Sequence, residues 1–248
     1  MGKMVNTYAI TDAYPGRTGY VLGFYDNKLV GPAWDSGKTW NREHVWPKSL
    51  GGDNVEGDMH MVRPASVKIN SARGNSFYGA NQYDPGQYEV NYRGVAARII
   101  LYCAIADTSL SLSDGTSASS GSSTMGKLSD LLRWNLQYLP DTSSDAPLTL
   151  RIEQNRNREI YSNANLQGNR NPFIDHPEYA CKIWGNTNAT TKQICGLNKT
   201  LSSIAVSNQK TTYSTGESFV KPTVNATYTD GTTSPVTGAT FTGFDSSE

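Results

Sequence analysis

The chain has 248 residues, of which 37% are hydrophobic and 18% charged, enough for one sizeable core and a smaller second module. Its 22 Lys and Arg are balanced by 22 Asp and Glu, and the isoelectric point is near 6.8, which excludes a protein that holds nucleic acid by bulk positive charge. No apolar run is long enough to span a bilayer, and Met1-Gly2-Lys3-Met4 has no signal-peptide core, so membrane insertion is excluded and the chain reads as cytoplasmic or as an exported mature form.

Taken in order, the first dense chemistry is Trp40-Asn41-Arg42-Glu43-His44-Val45-Trp46-Pro47-Lys48-Ser49, a strand with an imidazole beside a carboxylate. Adjacent strand residues point to opposite faces, so Glu43 and His44 serve one site only if the strand bends, bulges or ends there; Pro47 suits an early end. Ser49 to Asp58, with Gly51, Gly52, Asp53, Asn54 and Gly57, reads as a loop. A short strand is expected at Met59–Val62 and a helix from Pro64, which is tolerated at a first helical position. That helix carries Asn70 and Arg73 in the run Lys68-Ile69-Asn70-Ser71-Ala72-Arg73-Gly74-Asn75.

Tyr92–Asp107 has Val95, Ile99, Tyr102, Cys103 and Ala106 on one helical face. Thr108–Lys127, rich in Ser, Gly and Thr, reads as a mobile surface insertion. Helices are expected at Leu128–Leu139 and Thr149–Tyr161, the second with Arg151, Arg156 and Arg158 as solvated charge or groove lining. Cys181 and Cys195 lie close in sequence, and a bridge closing a loop of roughly 15 residues contributes about 3 kcal/mol in the chain-entropy model. The spacing leaves bridged and free forms open, whereas Cys103 reads as a buried thiol. Beyond Leu197, Ser202–Val206, Tyr213–Val220, Val224–Tyr228 and Thr232-Thr233 read as short strands. They resemble the opening half of a bacterial immunoglobulin-like module, cut short at Glu248 or completed by packing on the first domain. A sandwich of this kind usually needs about 100 residues.

Arg42-Glu43-His44-Val45-Trp46-Pro47-Lys48-Ser49, Asp58-Met59-His60-Met61-Val62-Arg63-Pro64 and Asn70-Ser71-Ala72-Arg73-Gly74-Asn75 together resemble the endonuclease I family of bacterial extracellular and periplasmic nucleases. A further region, Gln167 to Glu178, resembles that family's C-terminal signature, so the likeness covers about the first 185 residues. It implies an α+β fold with a ββα-metal (His-Me finger) core and flanking helices at 1–198, including the 108–127 insertion, followed by a short all-β segment at 199–248. It also implies a sequence-nonspecific endonuclease acting on DNA, RNA or both and leaving the phosphate on the 5′ side. In that scheme His44 is the general base, Glu43 and Asn70 hold one Mg²⁺, and Arg73 stands beside the site. Ca²⁺ or Mn²⁺ can take the same place, and no organic cofactor is expected. Some members carry a cysteine-bracketed loop with a phosphate-steadying arginine. Its absence here leaves Arg63 and Arg73 as candidates for that role. Arg63, Asn75 and Arg170 are the expected substrate contacts. The resemblance further implies a secreted or cell-surface monomer, with the C-terminal module as a surface attachment.

The residue types suit that chemistry independently. A neutral imidazole accepts a proton near neutral pH, and activity is expected to decline below about pH 6. Hard Mg²⁺ takes one or two protein oxygens and keeps water and phosphate in its other positions. It polarises a phosphoryl oxygen, and one of its waters can protonate the leaving group. Arginine forks onto phosphate. Arg42, Lys48, Arg63, Lys68, Arg73, Arg93 and Arg98 suggest a local basic groove in a neutral protein. Trp40 and Trp46 are read as strand packing or base stacking, His60 and His176 as structural, and Arg170 as a phosphate grip or an internal fork. Two other classes remain open: a zinc hydrolase, for which His44, His60 and His176 have no recognised ligand spacing, and a cell-surface binding protein with an inactive nuclease-like domain.

Overall fold

In chain order, the computed structural model, which describes residues 2–31, 34–119, 121–143 and 145–240, begins with helix α1 (Gly2–Thr11) and an antiparallel pair, β1 (Val21–Leu22) and β2 (Leu29–Val30). A second antiparallel pair follows, β3 (Trp40–His44) and β4 (Val62–Ser66), and α2 (Val67–Arg73) starts directly from it. Register runs without a shift from Trp40 opposite Ser66 to His44 opposite Val62.

Pro64 therefore stands in a strand rather than at a helix start. Its carbonyl accepts from Phe24 N–H at 2.7 Å, so its nitrogen also faces away from β3 and no ladder bond is lost. The expected strand at Met59–Val62 is displaced for a related reason. Asp58 carbonyl accepts from both Met61 and Val62 N–H at 3.1 Å, which keeps Met59–Met61 in a turn. Helix α2 waits for Ser66, whose hydroxyl caps Ile69 N–H at 3.3 Å.

Helix α3 (Arg93–Ala106) is buried around its whole circumference from Gly94 to Cys103 and forms the centre of the first unit. Gly94 permits the close crossing with the segment after α4 (Leu128–Gln137), since a Cβ there would sit 2.5 Å from Tyr138 carbonyl oxygen. Between these helices, the stretch read as a loop holds a short parallel pair, β5 (Ser111–Leu112) and β6 (Thr124–Met125). Leu110 and Met125 anchor it in the core.

Helix α5 (Leu148–Ser162) brings Arg156 and Glu153 inward. Glu153 receives the fork of Arg98 at 2.7 and 2.6 Å, with both partners buried. Arg156 shares Asp12 with Arg63. Helix α6 (Pro172–Asp175) is capped by Asn171, whose amide also donates to Arg98 carbonyl at 3.0 Å. Helices α7 (Tyr179–Trp184) and α8 (Ala189–Ile194) complete the unit.

A disulfide joins Cys181 to Cys195 with Cα atoms 5.5 Å apart, and Cys103 is a buried free thiol. Replacing both bridged cysteines by serine is expected to lower stability by about 3 kcal/mol, read as a lower urea midpoint. An unmoved midpoint would mean that the bridge does not constrain the unfolded chain.

A second unit starts at Gly196 and contains one antiparallel sheet in the order β7 (Leu201–Ser207), β8 (Thr223–Tyr228), β9 (Thr233–Pro235). Tyr213–Val220, expected as a strand, is not one. A turn closed by Glu217 N–H to Ser214 carbonyl at 2.9 Å, with Gly216 at φ +84°, interrupts it. No helix among the described residues is long and apolar enough to cross a membrane.

Candidate active site

The β3 strand places Glu43 and His44 on opposite faces, as regular pairing demands, yet both line one cleft of about 390 Å³. The strand resolves the conflict by ending. After His44 the backbone bends at Val45-Trp46 and enters a 3₁₀ turn at Lys48–Leu50, pinned by Trp46 Nε1 donating to Leu50 carbonyl at 2.7 Å. Gly51 leaves that turn at φ +82°, a conformation that suits glycine. Glu43 and His44 then line the cleft from the strand end, and α2 adds Asn70 and Arg73, with Asn75 beyond its end.

His44 is half-buried, and its Nδ1 lies 3.1 Å from Arg42 carbonyl oxygen. A carbonyl can only accept, so the proton belongs on Nδ1 and Nε2 is left as the basic nitrogen. Burial holds the ring below the ordinary imidazole range; the carbonyl works against that shift, and the charges of Arg42 and Lys48 reinforce it.

Glu43 is 2% exposed. Burial raises its carboxyl above the usual range, opposed by the Arg73 charge and by the hydrogen bond from Tyr25. Tyr25 hydroxyl donates to Oε1 at 2.7 Å and is also hydrogen-bonded to Tyr78 hydroxyl. Tyr25 is fully buried at φ +84°, unusual for a bulky residue, and such strain costs on the order of 1–3 kcal/mol. Burial, then the neighbouring Glu43, raises the Tyr25 hydroxyl pKa far above neutrality, so it remains a donor.

Arg73 is committed inward. Its Nη1 donates to Gly74 carbonyl at 3.0 Å and His44 carbonyl at 3.4 Å, Nη2 to Val45 carbonyl at 2.5 Å, and Nε stands 3.6 Å from Glu43 Oε1. Its guanidinium carbon lies 4.9 Å from the Tyr78 ring centroid. Arg73 thus fixes the bend that gathers the cleft and supplies Glu43 with a counter-charge. Forking onto phosphate would require it to release those carbonyls.

The cleft offers Glu43 Oε2 and Asn70 Oδ1 as oxygen donors, neither hydrogen-bonded among the described residues. Two hard oxygens beside open space fit a Mg²⁺-type ion that keeps most of its coordination for water and substrate. They do not fit structural zinc, and no group of three or more His, Cys, Asp and Glu occurs among the described residues.

Several expected contacts do not join this cleft. Arg63 is buried, with Nε 3.0 Å from Asp12 Oδ1 and its guanidinium 4.6 Å over Phe24. Arg170 forks onto Asp175 at 2.6 and 2.5 Å, the internal alternative. The inferred basic groove is depleted in the same way, because Arg98 is paired with Glu153, Arg93 with Asp84 and Lys48 with Glu56. Trp40 and Trp46 are buried packing residues. His60 lies in a turn, buried, with Nε2 3.2 Å from Asn169 carbonyl oxygen; burial and then Arg156 push its pKa down to about 4. His176 is exposed and stacked on Tyr179.

The Gln167-Gly168-Asn169 segment latches the turn that feeds β4. Gln167 accepts from Met59 N–H and donates to Asp58, both at 2.8 Å, and Asn169 donates to Tyr102 hydroxyl at 2.8 Å. A larger, mainly apolar cavity of about 660 Å³ lies beside Leu29, Val30, Ile69 and Tyr88, but it has no histidine and none of the residues that line the Glu43–His44 cleft.

A strand end, a helix and an oriented imidazole are thus gathered about two oxygen donors. The family model for endonuclease I matches residues 3–89 and 83–178, and the chain belongs to that family. Two curated relatives are each named extracellular ribonuclease, from Bacillus amyloliquefaciens and Bacillus subtilis (strain 168). Each is 36% identical over 72% of this chain, and the match spans 66% of the relative's own length. No solved structure matches.

Proposed function

We propose that the chain is a metal-dependent endonuclease that hydrolyses phosphodiester bonds of RNA, DNA or both with little sequence preference, on a ββα-metal core formed by β3, β4 and α2. The observation that carries this reading is the convergence of His44, Glu43 and Asn70 on one cleft, with the His44 proton assigned to Nδ1. The names of the two Bacillus relatives support RNA as a substrate and export as the destination.

His44 Nε2 takes a proton from water as its oxygen bonds to phosphorus, the bond from phosphorus to the 3′ sugar oxygen breaks, and that oxygen gains a proton from solvent. The products are a 3′ hydroxyl and a 5′ phosphate, and His44 returns its proton to solvent. A divalent cation on Glu43 and Asn70, Mg²⁺ by the hardness of those donors, would polarise a phosphoryl oxygen. Tyr25 and Arg73 hold Glu43 in place, so one carboxylate oxygen stays turned to the cleft.

Incubation with plasmid and with RNA, in chelator and then with Mg²⁺ or Zn²⁺ restored, tests the reading. Cleavage restored by Mg²⁺ is expected; cleavage of neither substrate with any metal removes it. Glu43→Gln and Asn70→Ala are each expected to raise the Mg²⁺ needed for half-maximal rate by about tenfold or more, since losing even an outer-shell partner typically costs 10–100-fold. An unchanged Mg²⁺ titration in both variants would dismiss them as ligands.

A further inference from the structure

Phosphodiester hydrolysis adds negative charge to the phosphate oxygens, so a cation must face them. Three cationic side chains line the cleft: Arg42, Lys48 and Arg73. Lys48 is neutralised by Glu56 at 2.5 Å and Asp53 at 3.6 Å. Arg73 is 1% exposed and holds three backbone carbonyls.

Arg42 differs from both. It is half-buried, and among the described residues its guanidinium has neither a carboxylate within ion-pair distance nor a hydrogen-bond acceptor. Its guanidinium carbon instead sits 4.4 Å from the Trp34 ring centroid. Contact with an aromatic face restrains the guanidinium without engaging its N–H donors, which remain free to fork onto two oxygens. Arg42 and His44 are two residues apart on an unshifted strand, so their side chains leave the same face. The free fork and the basic nitrogen therefore flank the same space.

We propose that Arg42 is the catalytic arginine of this cleft, its fork contacting the non-bridging oxygens of the scissile phosphate as His44 draws the proton from water. The assignment rests on the nuclease reading and adds the group that bears the transition-state charge. Trp34 is its positioning residue.

The test uses the full chain, with Mg²⁺ and a fluorescein-labelled single-stranded RNA. Arg42→Gln keeps a stem over Trp34 and removes the charge. Its kcat is expected to fall by about 10²–10³-fold, more than KM rises, at an unchanged melting temperature. Arg42→Lys keeps the charge without the fork and should recover all but about tenfold of the rate.

Binding supplies a readout independent of turnover. In a His44→Ala background, Arg42→Gln should make the dependence of log affinity on log salt shallower by about 0.7, the value for one phosphate contact on a single strand. Arg42→Gln within threefold of wild type, a change in KM alone, or an unmoved salt slope would overturn the assignment. Should Arg42→Gln fail to fold, Arg42→Lys at the wild-type rate and melting temperature overturns it instead. Wild-type protein that binds RNA with an Arg42-dependent slope but cleaves nothing would remove the nuclease reading itself and the catalytic role with it.

Discussion

His44→Ala is expected to lower turnover by about 10²–10⁴-fold while leaving nucleic-acid affinity nearly unchanged, the signature of a lost general base. The side chain is held by one contact to a carbonyl two residues back and contributes little to the core, so the variant should fold normally. With His44 as the proposed base, the neutral ring is the active form. Its pKa lies below the ordinary value of about 6.5, chiefly through burial. The midpoint of the acid limb of the wild-type rate, where Nε2 takes up a proton, should therefore lie below 6.5. That places the limb lower than an unperturbed histidine would, and His44→Ala should abolish it. Single-turnover rates across pH 4–8 check both points. A variant within a few-fold of wild type, or one whose residual rate keeps the same acid limb, would assign the base to another group.

Much of this site was legible because its chemistry is local. Glu43, His44, Asn70 and Arg73 fall within one hairpin and its helix, and strand alternation itself demanded that the chain bend or end after His44, whereas Arg42 entered only as one charge of a basic groove. Boundaries were less legible. Pro64 looks like a helix start in sequence, but it is acceptable in β4 because a contact from Phe24, distant in the chain, occupies the outward-facing carbonyl. Side chains that reach the site across the fold left no local signal. Tyr25 and Tyr78 meet at Glu43 from 18 residues before it and from further along the chain, and no spacing rule points to either. Arginine was the most misleading residue type. Arg63, Arg98 and Arg156 are charges that sequence places near a groove or a helix surface, yet each is buried against a carboxylate at least 51 positions away. A free arginine can therefore be recognised only after the paired ones have been found. The expected immunoglobulin-like segment met a related limit, since threonine- and valine-rich runs mark strands without specifying how many form; the turn at Ser214–Glu217 replaces one of them.

Asp12→Asn is expected to destabilise the first unit by about 3–5 kcal/mol, the usual cost of removing one member of a buried ion cluster. Asp12 is 1% exposed and stands between Arg63 Nε at 3.0 Å and Arg156 Nε at 3.0 Å, with Thr11 hydroxyl donating to Oδ2 at 2.7 Å. Burial alone would raise its carboxyl; the two guanidinium charges outweigh that and hold it below the ordinary carboxylate range. The sign for stability follows. A depressed folded-state pKa contributes stability above the unfolded value of about 3.9, and the contribution is lost as pH falls below it. Asparagine removes it at neutral pH, leaving two buried guanidiniums facing each other without a counter-charge. Unfolding at pH 7 should show the full loss, and at roughly 2–4 °C per kcal/mol the melting temperature should drop by about 10 °C. A second variant separates pairing from packing: Arg156→Met in the Asp12→Asn background should cost less than the sum of the single changes, because each removes what strands the other. Strict additivity would mean that the cluster is screened and contributes little. The catalytic consequence should be small wherever the variant is folded. The cluster grips β4 through Arg63 and through Arg156 donating to Val62 carbonyl at 3.3 Å, and Val62 pairs with His44, but no member of it lines the cleft. A collapse of kcat at temperatures where Asp12→Asn remains folded would show instead that the register of the hairpin, and with it the position of His44, depends on this buried charge.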